Sequence, residues 1–407
     1  MKRSFFQNIA SFFALLCVVF IPFPFNLSKI QLSVTDFIFG KLIGFISSTI
    51  FGKTLADTKV YSDSVSMYML VLLLFILAIL ISLVLLRIKK WPAYRNKVLG
   101  FFYQLFIYYL ALQLLKYGVD KIFKNQFYLP EPNTLFTPIG KVDKDLLYWS
   151  AMGTSHLYNV FLGSLEMLAA VFILLKRTRL IGLLMSFGVL LNVTAINFGF
   201  DISVKLFSLF LLYLTVYLLL PYCSRLYHLL WLQKNEQIKP VVVKSFLVNN
   251  TFFSIFLKWL AVGLICLEVF YPFIKSGNFN GDTAKRPYLH GAYEVKQIIS
   301  GADTLVAAYS PVKRFFIHRD SYIIFQNEQE EMLDYKIHID KAKSLFILTD
   351  YQLKQTVLSY TYQPTDSILK LQYFNAGKES KLIGKAIDWK KLPALKKGVH
   401  WTVDGGR

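Results

Sequence analysis

A single carboxylate lies in the middle of an otherwise apolar stretch, Ser155–Arg179. At the centre of a membrane helix a charged side chain costs about 3 kcal/mol or more unless it is paired, hydrated or protonated. Helical steps of three and four residues connect Glu166 with Gly163, Asn159 and His156 on one face. Lipid would leave these polar groups unsatisfied, so this face is predicted to lie against other helices or a wet cavity.

The next apolar stretch carries a similar small and polar face through Gly188, Asn192, Ala195 and Gly199. We therefore predict a polar pocket among the third to sixth membrane helices, open to the outside. Its candidate residues are Glu166, His156, Asn159, Asn192, Asn197, Asp201, Lys205 and Lys121. In the alternative interpretation, these residues only hold helices together, and Asp201 and Lys205 form an ion pair at a helix end.

Composition indicates a membrane protein. Of 407 residues, 55% are hydrophobic and only 17% are charged, whereas soluble domains are about 25% charged. The net charge of +20 is concentrated in short loops between apolar segments, which argues against nucleic-acid binding. The six histidines and three cysteines show neither a metal-ligand spacing nor a CxxC pair, so no metal site is predicted.

Seven segments are long and apolar enough to cross about 30 Å of hydrocarbon. They are residues 9–25, 67–86, 98–115, 157–175, 180–198, 204–222 and 255–274. The basic loops "RIKKWPAYRNK" and "KRTR" lie on the same side as the N-terminus in this scheme. The positive-inside rule then places the N-terminus in the cytoplasm and the C-terminal domain in the periplasm of a bacterial inner membrane. The first segment lacks a signal-peptide cleavage site and is expected to be a retained helix.

Two further segments complete the organisation. Apolar residues at helical spacing in Asp36–Lys53 predict an amphipathic helix in the outer interface, or one that caps the bundle. After about Lys275, short runs rich in β-branched and aromatic residues predict a small all-β sandwich or barrel, closed in part by Trp401. His290, His318, His338 and His400 are scattered among the predicted strands, and His318 and His338 are expected at edge or rim positions.

The predicted fold is thus a polytopic α-helical membrane bundle followed by a small all-β extracytoplasmic domain. Residues 1–97 hold two helices and the interfacial segment, and 98–221 hold four helices. Residues 222–275 hold a cytoplasmic loop and the last helix, and 276–407 hold the periplasmic β domain.

Residues 98–221 resemble the DoxX-like family of four-helix membrane proteins. The resemblance rests on "KYGVDKIF", on the acidic residue within "GSLEMLAAVFILLKRTR", and on the small-residue-rich helix "LIGLLMSFGVLLNV". The residues that match the family pattern are Gly118, Lys121, Glu166 and Gly182, together with Asn192. The larger protein, with its β domain, resembles forms from the Bacteroidetes lineage.

The resemblance implies a link to membrane redox or oxidative-stress systems, with a diffusible quinone or a redox partner subunit to carry electrons. Two functional hypotheses follow. In the first, the Glu166 pocket binds a quinone or another small apolar molecule, with Glu166 as proton acceptor or hydrogen-bond partner. In the second, the bundle is a non-catalytic scaffold that anchors the β domain for partner binding. Whether the protein is an enzyme stays open.

Overall fold

The computed structural model describes residues 2–22, 28–51, 59–234, 241, 251–301, 303–306, 311–375 and 378–396. The chain divides into two compact units. The helical unit comprises Met1–Gln126 and His156–Phe279, and the β unit comprises Phe127–Ser155 and Asn280–Arg407. The predicted helical bundle with a following β domain is confirmed.

The helices, in chain order, are α1 (Lys2–Phe20), α2 (Ser28–Thr35), α3 (Lys41–Phe51), α4 (Val65–Arg87), α5 (Trp91–Ile122), α6 (Pro132–Leu135), α7 (Lys144–Thr154), α8 (His156–Leu174), α9 (Arg179–Gly199), α10 (Lys205–Leu230) and α11 (Thr251–Ser276). A π-helical turn, Asp36–Gly40, joins α2 to α3. α4 contains no proline or glycine. Its mean hydropathy of 3.4 is the highest among the described membrane-length helices.

Seven described helices are long and apolar enough to cross a membrane, so the protein is a membrane protein. The set differs from the prediction at its start. The continuous helix Ser28–Thr49 qualifies by length and composition, whereas the apolar helix Ser4–Phe20 is shorter. At 1.5 Å per residue, the helix Ser4–Phe20 reaches only the lower limit of length for a membrane span.

Hydrogen bonds and ring contacts show how the helix Ser28–Thr49 lies against α1. Gln31 donates hydrogen bonds to the Val19 and Ile21 carbonyls at 2.9 Å. Thr35 donates to the Phe20 carbonyl, and the Phe39 ring packs edge-on against that of Phe20. Successive turns of α2 and the π-helical turn thus all contact the last turn of α1. An antiparallel helix would instead contact progressively earlier residues of α1, so this helix lies across the end of α1.

The ends of the helical bundle are defined by side-chain contacts. At one end, Arg95 at the start of α5 donates hydrogen bonds to Asn8, Gln7 and the Ser4 carbonyl of α1. At the other end, the Phe123 ring just after α5 packs against Phe273 near the end of α11. The chain start and the last turn of α11 therefore lie at opposite ends of the helical unit.

The β unit is an antiparallel meander that closes on itself. Its strands are β1 (Gly291–Ser300), β2 (Asp303–Val306), β3 (Arg314–Ile317), β4 (Tyr322–Gln326), β5 (Met332–Asp340), β6 (Leu345–Thr349), β7 (Gln355–Gln363), β8 (Ile368–Asn375) and β9 (Lys378–Ile387). β9 pairs with β1, which closes an eight-stranded barrel, and β2 forms a hairpin on the second half of β1.

Apolar side chains fill the barrel interior. Along β1 they are Tyr293, Val295 and then Ile298, because a bulge between Val295 and Gln297 shifts the alternation by one residue. The rings of Tyr293 and Phe315 stack inside with centroids 4.9 Å apart. An eight-stranded barrel is just wide enough for such a filling, so this core is closed.

The β unit includes a segment that the sequence analysis placed within the four-helix region 98–221. Residues 127–155, between α5 and α8, belong to this unit. The Phe136 ring stacks on Phe316, and Gln326 donates to the Phe136 carbonyl at 3.1 Å. Both faces of β3 are therefore buried, which explains the unbroken apolar run "FFI". The predicted boundary at residue 276 gave only part of this unit.

Some predicted features lie outside the described residues. They are His400, Trp401, the last two residues of the predicted segment Asp36–Lys53, and residues 23–25 of the first predicted span.

Candidate functional site

The Glu166 carboxylate is bound by Lys121. Lys121 Nζ lies 2.8 Å from Glu166 Oε2 and 3.0 Å from Oε1, so the ammonium group reaches both oxygens. Glu166 is 4% exposed and Lys121 is 6% exposed. The pair joins α5 to α8, and each charge is compensated by the other away from water.

Two glycines bring the backbones of α5 and α8 together beside this pair. A Cβ atom on Gly163 would lie 2.5 Å from the Gly118 carbonyl oxygen, and one on Gly118 would lie 2.7 Å from the Gly163 oxygen. Each glycine precedes its charged residue by three positions, which places the two on neighbouring turns of one helix face. The close approach is what allows the Lys121 and Glu166 side chains to meet.

The basic turn after α8 has a capping role. Thr178 Oγ1 donates to the Phe172 carbonyl, and Arg179 Nε donates to the Ile173 carbonyl at 3.0 Å. These bonds satisfy carbonyls that a helix end leaves unpaired, and a cation there is favourable to the helix dipole. Gly182 follows one turn later, where a Cβ would lie 2.6 Å from Ile173 N. Hence α8 and α9 also pack closely.

The remaining predicted pocket residues are dispersed. Asn159 and Asn197 are buried in the bundle. Lys205 Nζ lies 2.7 Å from Asp201 Oδ1, as the helix-end interpretation predicts, and the Asp201 side chain is 80% exposed. His156 is the exposed first residue of α8. Among these candidates, Lys121 and Glu166 form a buried ion pair.

The prediction that Gly188, Asn192 and Ala195 of α9 face the inside of the bundle is wrong. Gly188, Asn192 and Ala195 are exposed, and a Cβ on Gly188 would meet nothing within 4 Å. The buried positions of α9 include Gly182, Leu183, Ser186, Leu190 and Thr194. The helix packs through Leu183 and Leu190 together with small residues, whereas the prediction had used small and polar residues alone. Asn192 therefore does not line a site with Glu166.

Two polar residues in the helical unit escaped the sequence analysis. Asp63 accepts hydrogen bonds from the backbone N–H groups of Lys205 and Leu206, at 2.8 and 3.0 Å, and so caps α10. Gln113 is fully buried in α5, and neither of its amide atoms has a hydrogen-bond partner among the described residues. Its position within an apolar run was a visible signal.

The β unit holds a second cluster of charged groups. Glu131, in the segment before α6, is 3% exposed. Its Oε2 lies 2.6 Å from His290 Nε2, and its Oε1 lies 3.6 Å from Arg286 Nη2 and 4.0 Å from Arg319 Nε. The Arg319 guanidinium stacks on the Tyr128 ring at 3.8 Å. The Glu131 carboxylate thus connects residues 127–155 to Arg286 and His290, in the segment just before β1.

Charge and burial act in opposite directions on Glu131. Burial alone would raise its pKa, but the hydrogen bond with His290 and the positive charge of Arg286 hold the pKa of Glu131 below its ordinary value. Burial lowers the pKa of the neighbouring His318, more than the Glu131 charge raises it. Glu131 is therefore ionised and His318 neutral near neutral pH. His290 anchors residues 127–155 within the unit through its contact with Glu131.

Sequence comparison decides the family. Over 111 residues, the chain is 33% identical to the uncharacterized protein YwoB of Bacillus subtilis (strain 168), covering 27% of this chain and 70% of that protein. The chain belongs to the same family as YwoB. No family model and no solved structure matches the sequence. The resemblance to DoxX-like proteins stays a prediction.

Proposed function

We propose that the helical unit is a non-catalytic anchor that carries the β unit as a binding domain on the outer side of a bacterial inner membrane. The observation that supports this role most is the Lys121–Glu166 pair. The carboxylate that suggested chemistry is held by two short contacts to one ammonium group, at a glycine-mediated helix contact. This is the geometry of a structural connection between α5 and α8.

The course of the chain favours an anchoring role. Three chain connections join the units, after Gln126, before His156 and after Phe279. Within the helical unit, these connections follow α5, precede α8 and follow α11, at the end opposite the chain start. A domain built partly from an insertion between two membrane helices is tied to them more firmly than a domain at the end of one linker.

Charge supports the orientation. Five basic residues lie in 87–97, between α4 and α5, at the same end as the chain start. Under the positive-inside rule, that end is cytoplasmic. With α2 and α3 across the end of α1, the long helices α1, α4, α5, α8, α9, α10 and α11 make seven crossings, and the β unit is periplasmic.

The rival function is quinone binding near Glu166, with a redox partner, and it remains a prediction. Mass spectrometry of protein purified in mild detergent separates the two. The anchoring role predicts no stoichiometric quinone, and it predicts that a doubly substituted Lys121→Met, Glu166→Leu protein stays folded and inserted. Stoichiometric quinone in the wild-type protein that is lost from this folded double variant would overturn the anchoring role in favour of redox function.

A further inference from the structure

A cleft of about 550 Å³ lies at one end of the barrel. It is formed where β1 begins and where β5, β7 and β9 end. Its volume is within the range of small-molecule sites. The residues used below are Arg286, Tyr288, His290, Lys341, Tyr362 and Trp389, all of which line it.

The charge of the cleft is positive. Among the described residues, its lining includes Arg286, His290 and Lys341 and no carboxylate. Glu131 contacts Arg286 and His290 but is itself buried and does not line the cleft. The lining itself therefore carries an excess of positive charge, which favours an anionic ligand.

Two cationic side chains line the cleft. Arg286 Nη1 is buried and has no hydrogen-bond partner among the described residues. A buried guanidinium N–H without an acceptor is costly, and an anionic oxygen is its best partner. Lys341 lies over the Tyr288 ring at 4.3 Å, with no carboxylate in ion-pair range in the described part of the chain. Lys341 is exposed and is therefore available to an anion, and Arg286 adds a second positive charge to the lining.

Aromatic surface lies beside these donors. The Trp389 ring packs edge-on against His290 with centroids 5.9 Å apart, and Tyr288 is 40% exposed. Tyr362 adds a third ring to the lining. Aromatic walls with a few placed charges are typical of sites that bind a planar organic molecule by one charged group.

We infer that this cleft binds a small organic anion, a carboxylate or phosphate group attached to a planar apolar body. Arg286 and Lys341 contact the anionic group, and Tyr288 and Trp389 contact the apolar body. The inference rests on the proposed role of the β unit as a binding domain, and it names the chemistry of the ligand. The ligand is a free solute, because the headgroup of an anionic lipid has no planar body to contact the aromatic rings.

The test is calorimetric titration of naphthoate into the full chain in phosphatidylcholine nanodiscs, with neutral naphthamide as the matched probe. Naphthoate should bind with about one ligand per chain, and naphthamide about tenfold more weakly. Arg286→Gln should weaken naphthoate binding about tenfold and Lys341→Gln about threefold. The control is Lys354→Gln, which removes an exposed lysine outside the cleft and should change nothing.

Lys341→Gln controls for a loss of binding that is caused by misfolding. Lys341 is exposed, so its replacement should leave the thermal stability of the protein unchanged. Equal binding of both probes, or naphthoate affinity that neither Arg286→Gln nor Lys341→Gln lowers, would overturn the inference without affecting the anchoring role. Repeating the titration in nanodiscs with phosphatidylglycerol distinguishes the sources. Unchanged affinity supports the inferred free solute, and competition by this lipid identifies a headgroup site and would overturn the planar body of the ligand.

Discussion

Removing one partner of the Lys121–Glu166 pair should destabilise the helical unit, and removing both should restore it. Glu166→Leu leaves a buried ammonium group without its carboxylate, and Lys121→Met leaves the carboxylate without its ammonium. Both side chains are almost fully buried, and they touch at 2.8 Å. Neither partner of the pair can therefore be rehydrated without opening the contact between α5 and α8.

The magnitude follows from the burial of both groups. Breaking a buried ion pair from one side costs about 3–5 kcal/mol, whereas replacing both partners by apolar groups of similar volume is often neutral or stabilising. Each single variant should lose about 3–5 kcal/mol in the free energy of unfolding. The double variant should lie within about 1 kcal/mol of the wild type, so the two effects should be strongly non-additive.

The assay is unfolding by SDS in mixed micelles, followed by circular dichroism. Asp201→Asn is the matched control, because it removes the carboxylate of an ion pair whose acid is 80% exposed and should have little effect. A Glu166→Leu protein as stable as the wild type would refute the structural role of the pair. So would a double variant that is as unstable as the single variants.

Three further predictions concern other contacts. Gly163→Ala should cost about 1–3 kcal/mol because its Cβ would meet the backbone of α5, whereas Gly188→Ala, in open space, should be neutral or stabilising by up to about 1 kcal/mol in the same SDS assay. Asp63→Ala should cost about 1 kcal/mol and increase amide hydrogen exchange in the first turn of α10. Acid should destabilise the β unit, since the pKa of His318 lies below its ordinary 6.5 and that of Glu131 below its ordinary 4.5. The protection factors of its strand amides, corrected for the intrinsic pH dependence of exchange, should fall from about pH 7 to 5.

The direction of the pH effect on the stability of the β unit follows from the two lowered pKa values. Both groups bind protons more weakly in the folded state, so their stabilisation is present above the unfolded pKa and is lost as the pH falls. The His318 contribution falls below about pH 6.5, and His318→Asn should flatten that part of the profile. Equal costs for the two glycine variants, unchanged exchange in Asp63→Ala, or a stability that rises on acidification would each contradict the corresponding contact.

Much of the fold could be predicted from local sequence. Uncharged runs as long as α4 have few alternatives to a membrane helix, and alternation in segments such as "LDYKIHI" indicates strands. The pair itself was visible in part, because both Glu166 and Lys121 stood out as charged residues near apolar helices. Their partnership was not predicted, because it depends on the approach of two helices at Gly118 and Gly163.

The errors have a common physical cause. Asn192 was placed inward by its neighbours on one helix, but the orientation of α9 is set by how its leucines pack against other helices. The inclusion of residues 127–155 in the β unit depends on long-range contacts such as Phe136 with Phe316. Helical periodicity describes one element at a time, so it carries no information on which distant segment covers which surface.

The most direct test of the anchoring role is whether a reagent on the periplasmic side of the inner membrane can reach the β unit. Lys354→Cys places a thiol on an exposed turn of the barrel. Cys223, near the end of α10, is a native exposed thiol, and the proposed orientation puts it on the cytoplasmic side. After the outer membrane is permeabilised, a membrane-impermeant maleimide should label Cys at position 354 in intact spheroplasts, and Cys223 only after lysis. Labelling of position 354 only after lysis would contradict a periplasmic binding domain.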